Sequence, residues 1–182
     1  MHRIPGTALS LWYDLQQVLG GSFTARASGL LTPEFALFSP DGQEFGRLRL
    51  RGPWAAEFRS GDYSAVLESS EGLYRMVVSS GEAVVVVAAT TNGRPNGELE
   101  TSCGGRTYGA RVNLLRNLAI ASYSDGGGAV RLSGGPTGRS YEAVFSTGDG
   151  CTLPIGILLL WYVAANRRRA YRIGSPAGGG RM

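Results

Sequence analysis

The stretch CTLPIGILLLWYVAANRRRAYR, residues 151–172, limits what this chain can fold into more than any other. Residues 153–165 are thirteen positions without a charge. As a helix they span about 20 Å at 1.5 Å per residue, against a bilayer core about 30 Å thick. That length suits a buried core helix better than a spanning one. The run Asn166-Arg167-Arg168-Arg169 that follows resembles the basic flank of a spanning helix, so a single membrane pass through 153–165 stands as the alternative. Thr152 is placed to cap the helix, and Pro154 falls in its first turn, where a missing N–H costs nothing. Leu153, Ile155, Ile157, Leu158, Leu159, Leu160, Trp161 and Val163 point all round the helix, so it must be enclosed on every side. Enclosing eight such side chains is worth on the order of 12 to 24 kcal/mol as an upper bound.

The rest of the chain can supply that wrapping. With 182 residues, 43% hydrophobic and 18% charged, it reads as one globular domain with room for a sizeable core. Runs rich in Val, Tyr, Phe, Leu and Thr are broken by Gly, Asp-Gly, Asn-Gly and Ser-Gly, the pattern of strands joined by tight turns. Strands are expected at 22–27, 34–38, 44–50, 54–59, 63–68, 73–79, 83–90, 98–103, 107–112, 118–123, 129–133 and 140–146. In EFGRLRLRG, Leu48 and Leu50 fall on one face and Arg47, Arg49 and Arg51 on the other. The run AVVVVAA, residues 83–89, is apolar on both faces, so its strand is either central or covered from outside. A weak repeat links GDYSAVL, GRTYGARV and GRSYEAVF: a turn glycine, a tyrosine, then alanine in an alternating strand. EGLYRMVV is a looser fourth copy.

About twelve short strands before one all-round apolar helix are packed most economically as a closed antiparallel barrel threaded by the helix, which removes sheet edges and buries the helix together. In FALFSPDGQEFGRLRLRG, in the hairpin GGAVRLSGGPTGRSYEAVFSTGDG and in the closing LPIGILLLWYVAANRRR, the chain resembles the tubby C-terminal-like superfamily. That superfamily takes in tubby-like domains, phospholipid scramblases and LURP-one-related proteins. The resemblance implies a barrel around a hydrophobic C-terminal helix over residues 22–172, with the central helix at 153–165. An N-terminal segment, 1–21, would precede the barrel, and a disordered tail, 173–182, would follow it. Relatives include phosphoinositide-binding domains and proteins linked to lipid movement. The function implied is a non-enzymatic binding module for an anionic or lipid-like ligand, cytoplasmic and peripheral at a membrane surface. The alternative is a structural or protein-interaction barrel without a small ligand, its protein partner unknown.

The charge pattern fits that implication without requiring it. Eighteen Arg and no Lys face fourteen acids, a net charge of +4, which permits an anionic partner but does not select one. Two clusters concentrate it: Arg47, Arg49 and Arg51 on one strand face, with Arg59 nearby, and Arg167, Arg168, Arg169 and Arg172 after the helix. These seven clustered arginines are the candidate ligand-binding residues. The competing reading makes the first cluster a solvated outer face and the second a favourable charge at a helix C-terminus. Nucleic acid is not favoured, since the basic and aromatic residues of GRTYGAR and GRSYEAVF spell no RNA-binding motif.

Catalysis has little to stand on. His2 is the only histidine, so no serine or cysteine triad forms and zinc lacks ligands; no metal or cofactor is expected. GGPTGRS, residues 134–140, lacks the lysine and helix of a phosphate loop and reads as a hairpin turn. Cys103 and Cys151 read as buried or free thiols in a reducing compartment, with a disulfide only if the fold brings them together. At the N-terminus, 7–21 reads as an amphipathic helix with Ala8, Leu11, Trp12, Leu15, Val18 and Leu19 on one face. It is expected to lie on the barrel or cover one end, with interfacial membrane contact through Trp12 and Tyr13 as the alternative. It is not read as a signal peptide, for want of a basic n-region and a continuous apolar core.

Overall fold

The computed structural model describes residues 6–29, 33–78 and 84–174. Helix α1 (Gly6–Leu19) leads into β1 (Ser22–Ser28), β2 (Glu34–Phe38), β3 (Glu44–Leu50), β4 (Ala55–Ser60), β5 (Tyr63–Ser70) and β6 (Leu73–Val78). Then come β7 (Val84–Thr90), β8 (Gly97–Cys103), β9 (Arg106–Asn113), β10 (Leu118–Ser122), β11 (Gly128–Gly134) and β12 (Ser140–Phe145), and the chain closes with α2 (Thr152–Gly174). Each strand pairs antiparallel with the next in sequence, and β12 pairs with β1, so the sheet closes into an up-and-down barrel with no free edge. His2, residues 79 and 83 of the expected strands, and the expected tail beyond Gly174 lie outside the described residues.

Alternation along the strands turns one row of side chains inward, and α2 runs through the space they enclose. Leu153, Ile155, Ile157, Leu158, Leu159, Leu160, Trp161 and Val163 are each 1% exposed or less. That enclosure replaces the alternative of a membrane pass through 153–165, and no described helix is long and apolar enough to cross a membrane. The helix is longer than expected at its C-terminal end. Asn166 and Arg167 are still buried, because the Asn166 amide donates to the Tyr162 carbonyl and Arg167 binds loop carbonyls. Its start is also built differently. The Thr152 hydroxyl donates to the Ser146 and Asp149 carbonyls, while the Asp149 carboxylate accepts the Cys151 N–H at 3.0 Å. Asp149 thus supplies the acidic group at the positive end of the helix dipole.

The tyrosine–alanine repeat acquires a packing role. Ala65, Ala110 and Ala143 all point inward and are buried, and Ala25, Ala88, Ala119 and Ala121 do the same elsewhere in the barrel. Small inward side chains leave the width that a helix needs. The tyrosine two residues before each repeat alanine lies nearer the strand end, where Tyr63, Tyr108 and Tyr141 help to fill the barrel around the helix termini. Gly46 follows the same logic at a bulge, where Leu37 pairs with Gly46 and Phe38 with Glu44. A Cβ on Gly46 would lie 2.8 Å from the Arg59 carbonyl and 3.0 Å from the Phe58 ring. Strand β7 is flanked by β6 and β8 and is not covered from outside: Val84 is exposed and joins Val66 and Val77 in an outer apolar strip.

Helix α1 closes the barrel end at which α2 begins. Its buried face is Trp12, Gln16 and Leu19 with Leu9 and Leu15 packed alongside, while Leu11 and Val18 face out, unlike the face expected from hydrophobicity alone. Gln16 decides the rotation, because its buried amide donates to the Ser146 and Asp149 carbonyls at 2.7 and 2.9 Å. Trp12 stacks on Phe58 with centroids 5.2 Å apart and donates to the Tyr63 hydroxyl at 2.7 Å. Burial pushes that hydroxyl's pKa up to about 12, so it stays neutral beside the indole.

The requirement for small inward side chains is directly testable. Ala143→Leu should lower the unfolding free energy by about 1–3 kcal/mol through overpacking against α2. Val144→Leu, one residue along and facing outward, should leave the urea midpoint unchanged.

Candidate functional site

The strand cluster and the helix cluster meet different surroundings. Arg47 and Arg49 of β3, with Arg51 just beyond it, are exposed on the outer barrel face, and the antiparallel register sets Arg59 opposite Arg47 and Glu57 opposite Arg49. Arg47 pairs with Glu44 at 2.5 Å and Glu34 at 2.8 Å, Arg49 with Glu34 at 3.1 Å, Arg59 with Glu57 at 2.6 Å, and Arg51 with Glu57. Four guanidiniums therefore meet three carboxylates, and the groove beside them carries little net charge. Hydrogen bonding from Arg59 holds the Glu57 carboxyl below its ordinary range, with the charges of Arg51 and Arg59 adding to it. A ligand anion here would have to displace carboxylates already in place.

The arginines after the helix meet the opposite end of the barrel, where α2 emerges among the turns that join odd-numbered strands to the next. Arg167 is buried and donates to the Leu114 carbonyl at 2.8 Å and the Pro136 carbonyl at 3.1 Å, tying the helix to two turns. Tyr162 does the same one turn earlier, donating to the Pro95 carbonyl at 2.7 Å. The Arg169 guanidinium lies over the Trp54 ring, 4.1 Å from its centroid. Arg172 belongs to α2, but its side chain lies outside the described residues.

Beside Arg167 a groove of about 210 Å³ opens between α2, the start of β2 and the β11–β12 turn. Arg139, Arg167 and Arg168 line it together with Tyr141, and among the described residues no carboxylate does. The Tyr141 side chain is almost wholly buried, and its hydroxyl has no hydrogen-bond partner in good geometry among the described residues. Burial raises its pKa, so the hydroxyl is a neutral donor without an acceptor among the described residues. Arg139 and Tyr141 were not among the residues singled out from sequence. The turn GGPTGRS was read only as a hairpin, and nothing local says that it folds over the end of α2.

The exposed surface around this mouth is both basic and apolar. Arg94 and Arg116 are exposed on the neighbouring turns, and Leu115 between them and α2 is 92% exposed. Trp54 is half exposed on the β3–β4 turn. Among the described residues no group of three His, Cys, Asp or Glu is placed to hold a metal ion.

Two contrasts check these assignments. Arg167→Met should cost about 1–3 kcal/mol of unfolding free energy, because two turn carbonyls lose their donor, while Arg49→Ala, exposed and sharing Glu34, should leave the midpoint unchanged. Glu57 favours its charged form in the fold, so its contribution is present above the ordinary carboxylate pKa of 4.5 and disappears as pH falls through the lowered value. Urea titrations of wild type and Glu57→Gln should therefore converge in acid and separate above that range. No family model matches this chain, and no curated protein matches it either.

Proposed function

We propose that this chain is a tubby-like, non-enzymatic binding module that takes an anionic headgroup at the mouth of the barrel and works at a membrane surface on the cytoplasmic side. The tubby-like assignment is supported by the combination of a closed twelve-strand antiparallel barrel and a wholly buried C-terminal helix inside it. The observation that carries the ligand reading is the groove lined by Arg139, Arg167 and Arg168, with no carboxylate lining it among the described residues. Guanidiniums are the donors that suit a phosphate or carboxylate. Because α2 fills the barrel axis, a lipid would be held by its headgroup at the rim and not swallowed by its chain. Leu115 and Trp54, with exposed Arg94 and Arg116 on other turns of the same barrel end, supply what a bilayer interface favours, apolar tips together with cations.

A second reading has its own support. The outer strip of Val66, Val77 and Val84 crosses β5, β6 and β7 and offers a partner protein an apolar patch on the barrel wall. Vesicle flotation separates the two. Vesicles of neutral phosphatidylcholine with and without phosphatidylserine should differ sharply, with binding confined to the anionic ones and falling with added salt. Arg139→Gln with Arg168→Gln should weaken that binding about 30-fold, from ~1 kcal/mol per arginine. Equal affinity for neutral vesicles, or indifference to the double change, would sink the headgroup reading and leave the Val66 strip as the surface to pursue.

A further inference from the structure

The end of the barrel closed by α1 holds a second polar cluster, around the start of α2. Strands β8 and β9 are joined by Gly104 and Gly105, both with positive φ (+57° and +78°), so Cys103 and Arg106 face each other across a two-residue turn. Directly behind that turn lies Cys151, the residue from which α2 starts; its carbonyl accepts the Ile155 N–H at 3.1 Å. A Cβ on Gly104 would stand 3.1 Å from the Cys151 sulfur. An exposed glycine turn covers that point, with the Leu9 side chain of α1 beside it. Both thiols are free and buried, and the turn brings Cys103, the chain neighbour of Gly104, up to Cys151.

The surroundings make the two sulfurs unequal. Cys151 sits at the positive end of a 23-residue helix and near the Arg106 guanidinium, and it receives the Cys103 S–H. Hydrogen bonding from Cys103, with help from the Tyr108 hydroxyl and Arg106, lowers the Cys151 pKa, and the interaction with Cys151 raises that of Cys103. Burial and the Asp149 carboxylate work against the Cys151 thiolate. Asp149 is partly occupied elsewhere: it accepts the Tyr108 hydroxyl at 2.6 Å and the Cys151 N–H, and Arg106 stands 3.7 Å from it.

We propose that Cys103 and Cys151 are a redox-active dithiol, oxidised within one chain by a small peroxide, with Cys151 as the attacking sulfur and Cys103 as the resolving one. The Cys151 thiolate attacks one peroxide oxygen and the O–O bond breaks. The departing hydroxide takes up the proton that Cys151 released on ionising and leaves as water, with Cys151 now a sulfenic acid. The Cys103 sulfur then attacks the Cys151 sulfur, the S–O bond breaks, and hydroxide leaves with the Cys103 proton as a second water. Two thiols lose two electrons in all, and one peroxide becomes two waters. The product ties the β8–β9 hairpin covalently to the start of α2.

The test uses the full chain, reduced, freed of reductant and exposed to stoichiometric hydrogen peroxide in native buffer before acid quench and alkylation. Expected are the loss of both alkylatable thiols, an intact mass lower by two hydrogens, a peptide linking Cys103 to Cys151, and a higher unfolding midpoint for the oxidised chain. Cys103→Ser should accumulate a sulfenic acid that dimedone captures at Cys151, and Cys151→Ser should leave Cys103 a thiol at the same dose. Should either variant fail to fold, the wild-type chain still decides. Thiols that remain alkylatable, a disulfide formed between chains, or oxidation no faster in the folded than in the urea-unfolded chain would each overturn the proposal.

Discussion

Helix α2 carries apolar side chains on every face from Leu153 to Val163, and no single partner surface can keep all of them from water. A sheet that closes on itself can. The consequences run outward from that requirement: alternating strands with inward alanines to leave width for a helix, aromatic side chains nearer the strand ends, and a sheet whose first and last strands pair. The barrel then has two ends to finish. One is covered by α1 through Trp12 and the buried amide of Gln16, and the other is bound to α2 by Tyr162 and Arg167 reaching turn carbonyls.

Once the interior is filled by the chain's own helix, chemistry is confined to the wall and the ends. On the wall the arginines of β3 are matched by Glu34, Glu44 and Glu57, which makes that face a solvated ion-pair lattice of modest energetic value. At the ends, polar groups are held where the helix termini leave backbone donors and acceptors to satisfy. The N-terminal end gathers Asp149, Tyr108, Arg106 and two thiols, and the C-terminal end gathers Arg139, Arg167, Arg168 and Tyr141. A helix through a barrel thus places a polar cluster at each of its two ends.

Much of the architecture was legible in the chain because it rests on local periodicity. Alternation in EFGRLRLRG, glycine-bounded hairpins and an apolar run too short for a bilayer are each readable within a dozen or so residues. The features that escaped depend on residues far apart. Glu34 and Glu57 reach the β3 arginines from neighbouring strands, so the neutralisation of that cluster needed the register. Gln16 sets the rotation of α1 through carbonyls more than a hundred residues away, and hydrophobicity alone chose a different face. The helix was expected to stop at its first charges, yet Asn166 and Arg167 continue it because the barrel mouth supplies carbonyl acceptors. The encounter of Cys103 with Cys151 likewise required the hairpin to close over the helix start.

Hydrogen–deuterium exchange along α2 tests the enclosure most directly. In the purified chain without detergent, amides of residues 157–166 should exchange in the slowest class, and should be released together with the central barrel strands as denaturant approaches the unfolding midpoint. Fast exchange along α2 while the strands stay protected would mean that the barrel holds without its helix, contradicting the account that the one exists to enclose the other.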